Sequence, residues 1–138
     1  MIIFLFSVNI DKKFLDPNRY MFKEKSWENG GKFYTDILHI KKWKDSLPQH
    51  IGKNGFSKRR LIKISNMSPD YIHQFIFETC RAEWNHLMCC LFILISFLIN
   101  SLGYAILFSF VSVITNLPFI FIQRYNRIRL NKLLIKKY

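Results

Sequence analysis

Thirty-six apolar-rich residues run from Leu87 to Ile122, and a cluster of polar side chains stands at each end of them. Arg81-Ala82-Glu83-Trp84-Asn85-His86 precedes the block and Gln123-Arg124-Tyr125-Asn126-Arg127 follows it. The block divides at Asn100-Ser101-Leu102-Gly103, where a polar pair followed by glycine predicts a tight turn. At 1.5 Å per residue, the first arm, Trp84 to Ile99, spans roughly 24 Å and the second, Leu102 to Ile122, roughly 32 Å. Such arms suit a helical hairpin that crosses or deeply enters a bilayer, and folding it back brings both polar clusters to one face.

The chain has 138 residues, half of them hydrophobic, and a formal net charge of +12. One compact unit is expected. Its segments are an interfacial or cytoplasmic part over 1–83 with amphipathic helices, the apolar hairpin over 84–122 and a basic cytoplasmic tail over 123–138. Dense positive charge suits nucleic acid or an anionic membrane, and the apolar block favours the membrane. The basic run Lys58-Arg59-Arg60 belongs to no nucleic-acid motif, so no nucleic-acid partner is expected. Basic flanks on both sides of the hairpin place its two ends in the cytoplasm, at the cell membrane. Cys80, Cys89 and Cys90 are odd in number and lack CxxC spacing, which argues against a disulfide framework or a zinc site. No metal or cofactor is expected. Met1–Phe6 is too short to cross a bilayer and reads as the remnant of a longer anchor or as an interfacial segment.

Ahead of the block, Phe14 to Gly31 reads as irregular chain ending in the turn Asn29-Gly30-Gly31. Thr35 and Asp36 can cap a helix whose Ile37, Ile40, Trp43 and Leu47 form a stripe flanked by Lys41, Lys42 and Lys44, with Pro48 stopping it. That pattern fits a helix lying on anionic lipid and, equally, one packed within the fold. A loop is expected over 49–57. Ser68-Pro69-Asp70 then starts a helix with a capping hydroxyl, proline at the first position and an acid in the first turn. Its Ile72, Phe75, Ile76 and Thr79 share one face, and it continues through Glu83 and His86 into the block.

Glu83 and His86 are three apart and share a helical face, so a carboxylate could orient the imidazole as a general base. Asn116, Gln123 and Arg127 return to one face of the second arm. Asn116 lies within the apolar block, where an amide needs a partner or a cavity. Pro118 removes a backbone donor and frees the carbonyl of Ile114.

Three motifs in order carry a family resemblance: Trp43-Lys44-Asp45-Ser46-Leu47-Pro48; Phe75-Ile76-Phe77-Glu78-Thr79-Cys80-Arg81-Ala82-Glu83 with His86; and Asn116-Leu117-Pro118 leading to Gln123-Arg124-Tyr125-Asn126-Arg127 and Arg129. Over about Gly31 to Leu134 the chain resembles the glycosyl-4,4′-diaponeurosporenoate acyltransferases, small bacterial membrane proteins associated with acylation of a glycosylated carotenoid. It departs from the family pattern at Leu87, where tryptophan is common, at Ile128, where proline is expected, and in its short apolar start. The resemblance implies an all-α membrane enzyme that moves a fatty acyl group from an activated donor, such as an acyl thioester, to a sugar hydroxyl of a lipid-soluble glycoside. On that reading His86 is the base, Glu83 fixes its tautomer, and Asn116, Gln123 or Asn126 donates to the oxyanion. Arg81, Arg124 and Arg127 would hold donor phosphates. Composition alone also admits a non-catalytic membrane hairpin that scaffolds a partner.

Overall fold

Ser68 sets the register of the larger part of the structure. Its hydroxyl accepts a hydrogen bond from the Tyr71 amide at 3.3 Å, Pro69 occupies the first helical turn, and α2 runs unbroken from Pro69 to Ile99. The computed structural model describes residues 12–47 and 68–137. Met1–Phe6, the loop over 49–57, Pro48 and the run Lys58–Arg60 lie outside the described residues.

Asn100 and Ser101 break the helix, with Asn100 folding its amide back onto the Ser96 carbonyl and hydroxyl, each at 3.1 Å. The chain then reverses into α3, Leu102–Lys137. The turn stands where the polar pair predicts it. At 1.5 Å per residue α2 is about 46 Å long and α3 about 54 Å, against a hydrocarbon core of about 30 Å. Both are long and apolar enough to cross a membrane.

The two helices have different surroundings at their two ends. Toward the turn, Leu94, Leu98, Leu102, Leu107 and Phe110 expose more than half their surface. At the other end the helices overhang and are packed. Ile72 and Ile76 of α2 meet Leu130 of α3, with Phe75 and Leu134 alongside. The stripe expected on α2 is therefore its core face. Residues 123–137, expected as a tail, continue α3 and bury Arg124, Tyr125, Arg127, Ile128 and Leu130.

A layer of short turns covers this end. It comprises 3₁₀ turns at Lys12–Leu15 and Ser26–Gly31, a π turn at Phe33–Ile37 and one turn of α-helix, α1, at Ile40–Trp43. Asn29, Gly30 and Gly31 all take positive φ, as the expected turn requires. The single helix expected from Thr35 to Leu47 is divided at His39, whose φ is +47°. Thr35 donates to the Lys32 carbonyl and to Asp36 rather than capping, and the Trp43 indole takes the Leu38 carbonyl at 2.8 Å. Ile37 ends up exposed. Ile40 is fully buried in a cluster with Tyr34, Ile122, Tyr125 and Ile128, against which Trp43 and Leu47 pack. The stripe is thus spent on α3, while Lys41 and Lys42 face out. Leu15 and Phe22 seal the layer against Cys80 of α2, flanked by Phe77 and Trp84.

Candidate active site

Where the helices leave their exposed apolar halves, α3 presents Asn116, Phe119, Gln123, Arg124 and Arg127, and α2 presents Glu83 and His86. The antiparallel pairing brings the two polar clusters together, as the hairpin predicts. The individual partners differ from those expected.

Glu83 does not meet His86. One carboxylate oxygen accepts from Arg124 Nη1 at 2.8 Å and the other from Arg127 Nη2, so both are engaged across the helix pair. The reason is distance along the chain axis: the two arginines of α3 lie opposite Glu83, whereas His86 is a turn further toward the apolar end. Arg124 is fully committed. Its Nε and Nη2 grip the two oxygens of Glu28 at 2.8 Å each, and its remaining hydrogens go to the carbonyls of Met21 and Lys23 at 3.0 and 3.2 Å. Five donors have five acceptors. Arg127 is also buried, donating to the Phe22 carbonyl at 3.0 Å and toward the Cys80 sulfur at 3.7 Å. Neither guanidinium has the open fork that a phosphate would need.

Glu28 was not singled out by the sequence. It is completely buried and is also bonded by the Tyr34 hydroxyl and, at 2.6 Å, by the Lys25 amide. Burial alone would push its carboxyl up, but the hydrogen bonds from Arg124, Tyr34 and Lys25 hold it below the usual range. Burial, reinforced by the bond to Glu28, pushes the Tyr34 hydroxyl well above its ordinary value. The only sequence signal was an acid placed among aromatics in a chain with a large surplus of arginine and lysine.

His86 is oriented by Asn116 instead. Asn116 Nδ2 donates to the Ser112 carbonyl at 2.8 Å, so its Oδ1 is the atom facing His86 Nδ1 at 2.9 Å. An amide oxygen only accepts. Nδ1 therefore carries a proton, which in the neutral ring leaves the lone pair to Nε2. The ring stacks on Phe119, centroids 4.9 Å apart and planes within 6°. The imidazole is held at an edge and a face.

The remaining expected residues divide. Gln123 shares the Asn116 face, one turn beyond Phe119, and neither it nor Asn126 has a side-chain hydrogen bond among the described residues. Arg81 stands apart. It binds both oxygens of Glu78 at 3.1 Å and lies 5.1 Å from the Phe77 ring, about 200° around α2 from Glu83. An apolar groove of about 440 Å³ runs along α2 from Trp84 to Leu94, with Met21 at one end and Met88 and Cys90 in its wall. Cys90 is one helical turn from His86. No cluster of residues suited to a metal ion occurs among the described residues.

A sequence model of the family described as glycosyl-4,4′-diaponeurosporenoate acyltransferase matches residues 17–136. The chain belongs to that family. A glycosyl-4,4′-diaponeurosporenoate acyltransferase of Staphylococcus aureus strain N315 is 33% identical over 127 residues, covering 91% of this chain and 74% of the relative. Those of strains bovine RF122 / ET3-1 and MRSA252 are 32% identical over the same coverage. No solved structure matches. As a member of this acyltransferase family the chain is an enzyme, and the Asn116–His86 pair and the Glu28–Arg124–Glu83–Arg127 lattice are features of its own structure.

Proposed function

We propose that this acyltransferase works at the cell membrane, moving a fatty acyl group from an activated thioester to a sugar hydroxyl of a glycosylated carotenoid or similar lipid-soluble glycoside. The observation that carries the reading is the imidazole at the junction between the exposed apolar halves and the packed polar end, its Nδ1 held by Asn116 and its Nε2 without a hydrogen-bond partner among the described residues. Outward-facing leucines and phenylalanines on both helices suit lipid, and a hairpin whose two ends are basic keeps those ends in the cytoplasm.

In the proposed step the Nε2 lone pair takes the proton of the sugar hydroxyl as its oxygen attacks the thioester carbonyl. The new C–O bond forms, the C–S bond breaks, and the imidazolium returns its proton to the departing thiolate. Asn116 keeps the ring in the required tautomer, which is the role expected for Glu83. The Phe119 ring beneath the imidazole stabilises the transient cation by its π-face. Gln123, with its amide uncommitted on the same helix face, is the donor best placed for the oxyanion. The apolar groove beginning at Trp84 suits the acyl chain. Glu83, Arg124 and Arg127 act by holding the layer against the helices.

Expression in cells that accumulate a glycosylated carotenoid tests this reading. Mass spectrometry should show the product heavier by one fatty acyl group, with loss of that product for His86→Ala at unchanged membrane abundance. An unchanged pigment profile with wild-type protein present would refute it.

A further inference from the structure

The donor's phosphates have no place at Arg124 or Arg127, both of which are buried and engaged. Another set of cations is available. From Leu102 to Lys137, α3 contains no acidic residue, and beyond Arg127 it carries Arg129, Lys132 and Lys136 at spacings of three and four, one stripe along an exposed face. None of the three has a carboxylate partner among the described residues. Two are held in place: the Arg129 guanidinium lies 5.6 Å from the buried Tyr125 ring, and Lys132 Nζ donates to the Gly30 carbonyl at 2.7 Å.

Like charges at this spacing repel, so the stripe calls for an anion. The helix dipole does not supply one, because its reach is limited to the last turn and Arg129 and Lys132 lie before it. Membrane headgroups do not span it. With Ile122 at the hydrocarbon edge, the backbone of Lys132 stands about 15 Å and that of Lys136 about 20 Å above it, whereas the headgroup layer is about 5–8 Å deep. The outer part of the stripe lies beyond that layer.

Resting on the acyl-transfer reading above, we infer that Arg129, Lys132 and Lys136 receive the phosphate groups of a water-soluble acyl thioester donor. The spacing defines the donor's shape. Phe119, on which the base is stacked, lies about 15 Å from Arg129 and about 20 Å from Lys132 along the helix axis. The thioester and the phosphates must therefore be joined by a long arm, as in pantetheine thioesters. Acyl phosphates, acyl adenylates and phospholipids, whose phosphate is only a few atoms from the acyl ester, do not fit.

The test uses the full chain in nanodiscs of neutral phosphatidylcholine, with coenzyme A as the binding probe. Wild type should bind it, more weakly as salt rises, and Arg129→Gln/Lys132→Gln/Lys136→Gln should bind about tenfold or more weakly. Arg129→Gln/Lys136→Gln, which keeps the Lys132 bond to Gly30, should also lose affinity. Under turnover, wild type should prefer an acyl-coenzyme A over the matching acyl-pantetheine, which lacks the nucleotide phosphates, and the triple variant should lose that preference. Absence of coenzyme A binding, or equal binding by all three proteins, overturns the inference, as does a variant impaired only in binding to anionic vesicles. Patch-dependent binding without any acyl transfer would leave this site standing and remove the reaction instead.

Discussion

His86 Nδ1 lies 2.9 Å from Asn116 Oδ1, joining the two helices across a sequence separation of 30. This bond fixes which imidazole nitrogen is basic, and its loss should appear in turnover more than in binding. Asn116→Ala is expected to lower kcat about 10- to 100-fold with KM changed little, and His86→Ala by at least about 100-fold. Steady-state kinetics with varied glycoside acceptor distinguishes the two effects. An unchanged kcat for Asn116→Ala would remove it as the positioning residue.

Glu83 is expected to behave as a structural residue. Glu83→Ala leaves two buried guanidinium groups without their shared carboxylate, a change that costs about 3–5 kcal/mol. Thermal unfolding in detergent should show a large fall in Tm. A variant that lost activity at wild-type Tm would return Glu83 to the chemistry.

Arg124→Lys should fail despite keeping the charge. Arg124 makes five hydrogen bonds in a planar fork, and an ammonium offers three donors without that geometry. A loss of about 2 kcal/mol or more is expected. Chemical denaturation and proteolysis of the first 47 residues would both report it.

Two buried groups give the protein opposite pH limits. The folded-state value of Glu28 is lowered, so its stabilisation is present above the unfolded carboxyl pKa, near 4.3, and is lost as pH falls through the lower folded value. Tyr34 is raised, so its contribution is full below the unfolded value near 10 and is lost as pH rises through the higher folded one. Unfolding followed against pH should show an acid limb that flattens in Glu28→Gln and an alkaline limb that flattens in Tyr34→Phe.

Gly31 has φ +86°, and a Cβ there would sit 3.5 Å from Ile128 Cγ2, an ordinary contact. The cost of Gly31→Ala is therefore backbone strain rather than collision, about 1 kcal/mol. A Tm drop far larger than this would mean that the layer cannot absorb even a methyl group against α3.

The sequence carried the helices well because their signals are local. Ser68-Pro69-Asp70 caps α2 by its own chemistry, and Asn100-Ser101 interrupts an otherwise continuous apolar pattern. The meeting of Glu83, His86, Asn116 and the Arg124 cluster followed from the hairpin alone. Their pairing did not follow. Three-residue spacing permits Glu83 to reach His86, but a buried carboxylate gains more from two opposing guanidiniums, a competition set by α3 and invisible within α2. The layer over 12–47 was the least legible part. Ile40, Trp43 and Leu47 of its apolar stripe pack while Ile37 does not, and the left-handed turn at His39 that divides them is stabilised by the Trp43 indole and by burial of Ile40, both products of tertiary packing.

The arrangement around Arg124 also dictates when the enzyme comes into being. Glu28 leaves the ribosome 96 residues ahead of the guanidinium that neutralises it. For the several seconds of synthesis in between, Glu28, Glu83 and the carbonyls of Met21 and Lys23 lack their final partner. The first third of the protein therefore waits on the last, and any transcript truncated before Arg124 yields a polypeptide that has both apolar arms yet can never close its lid of turns.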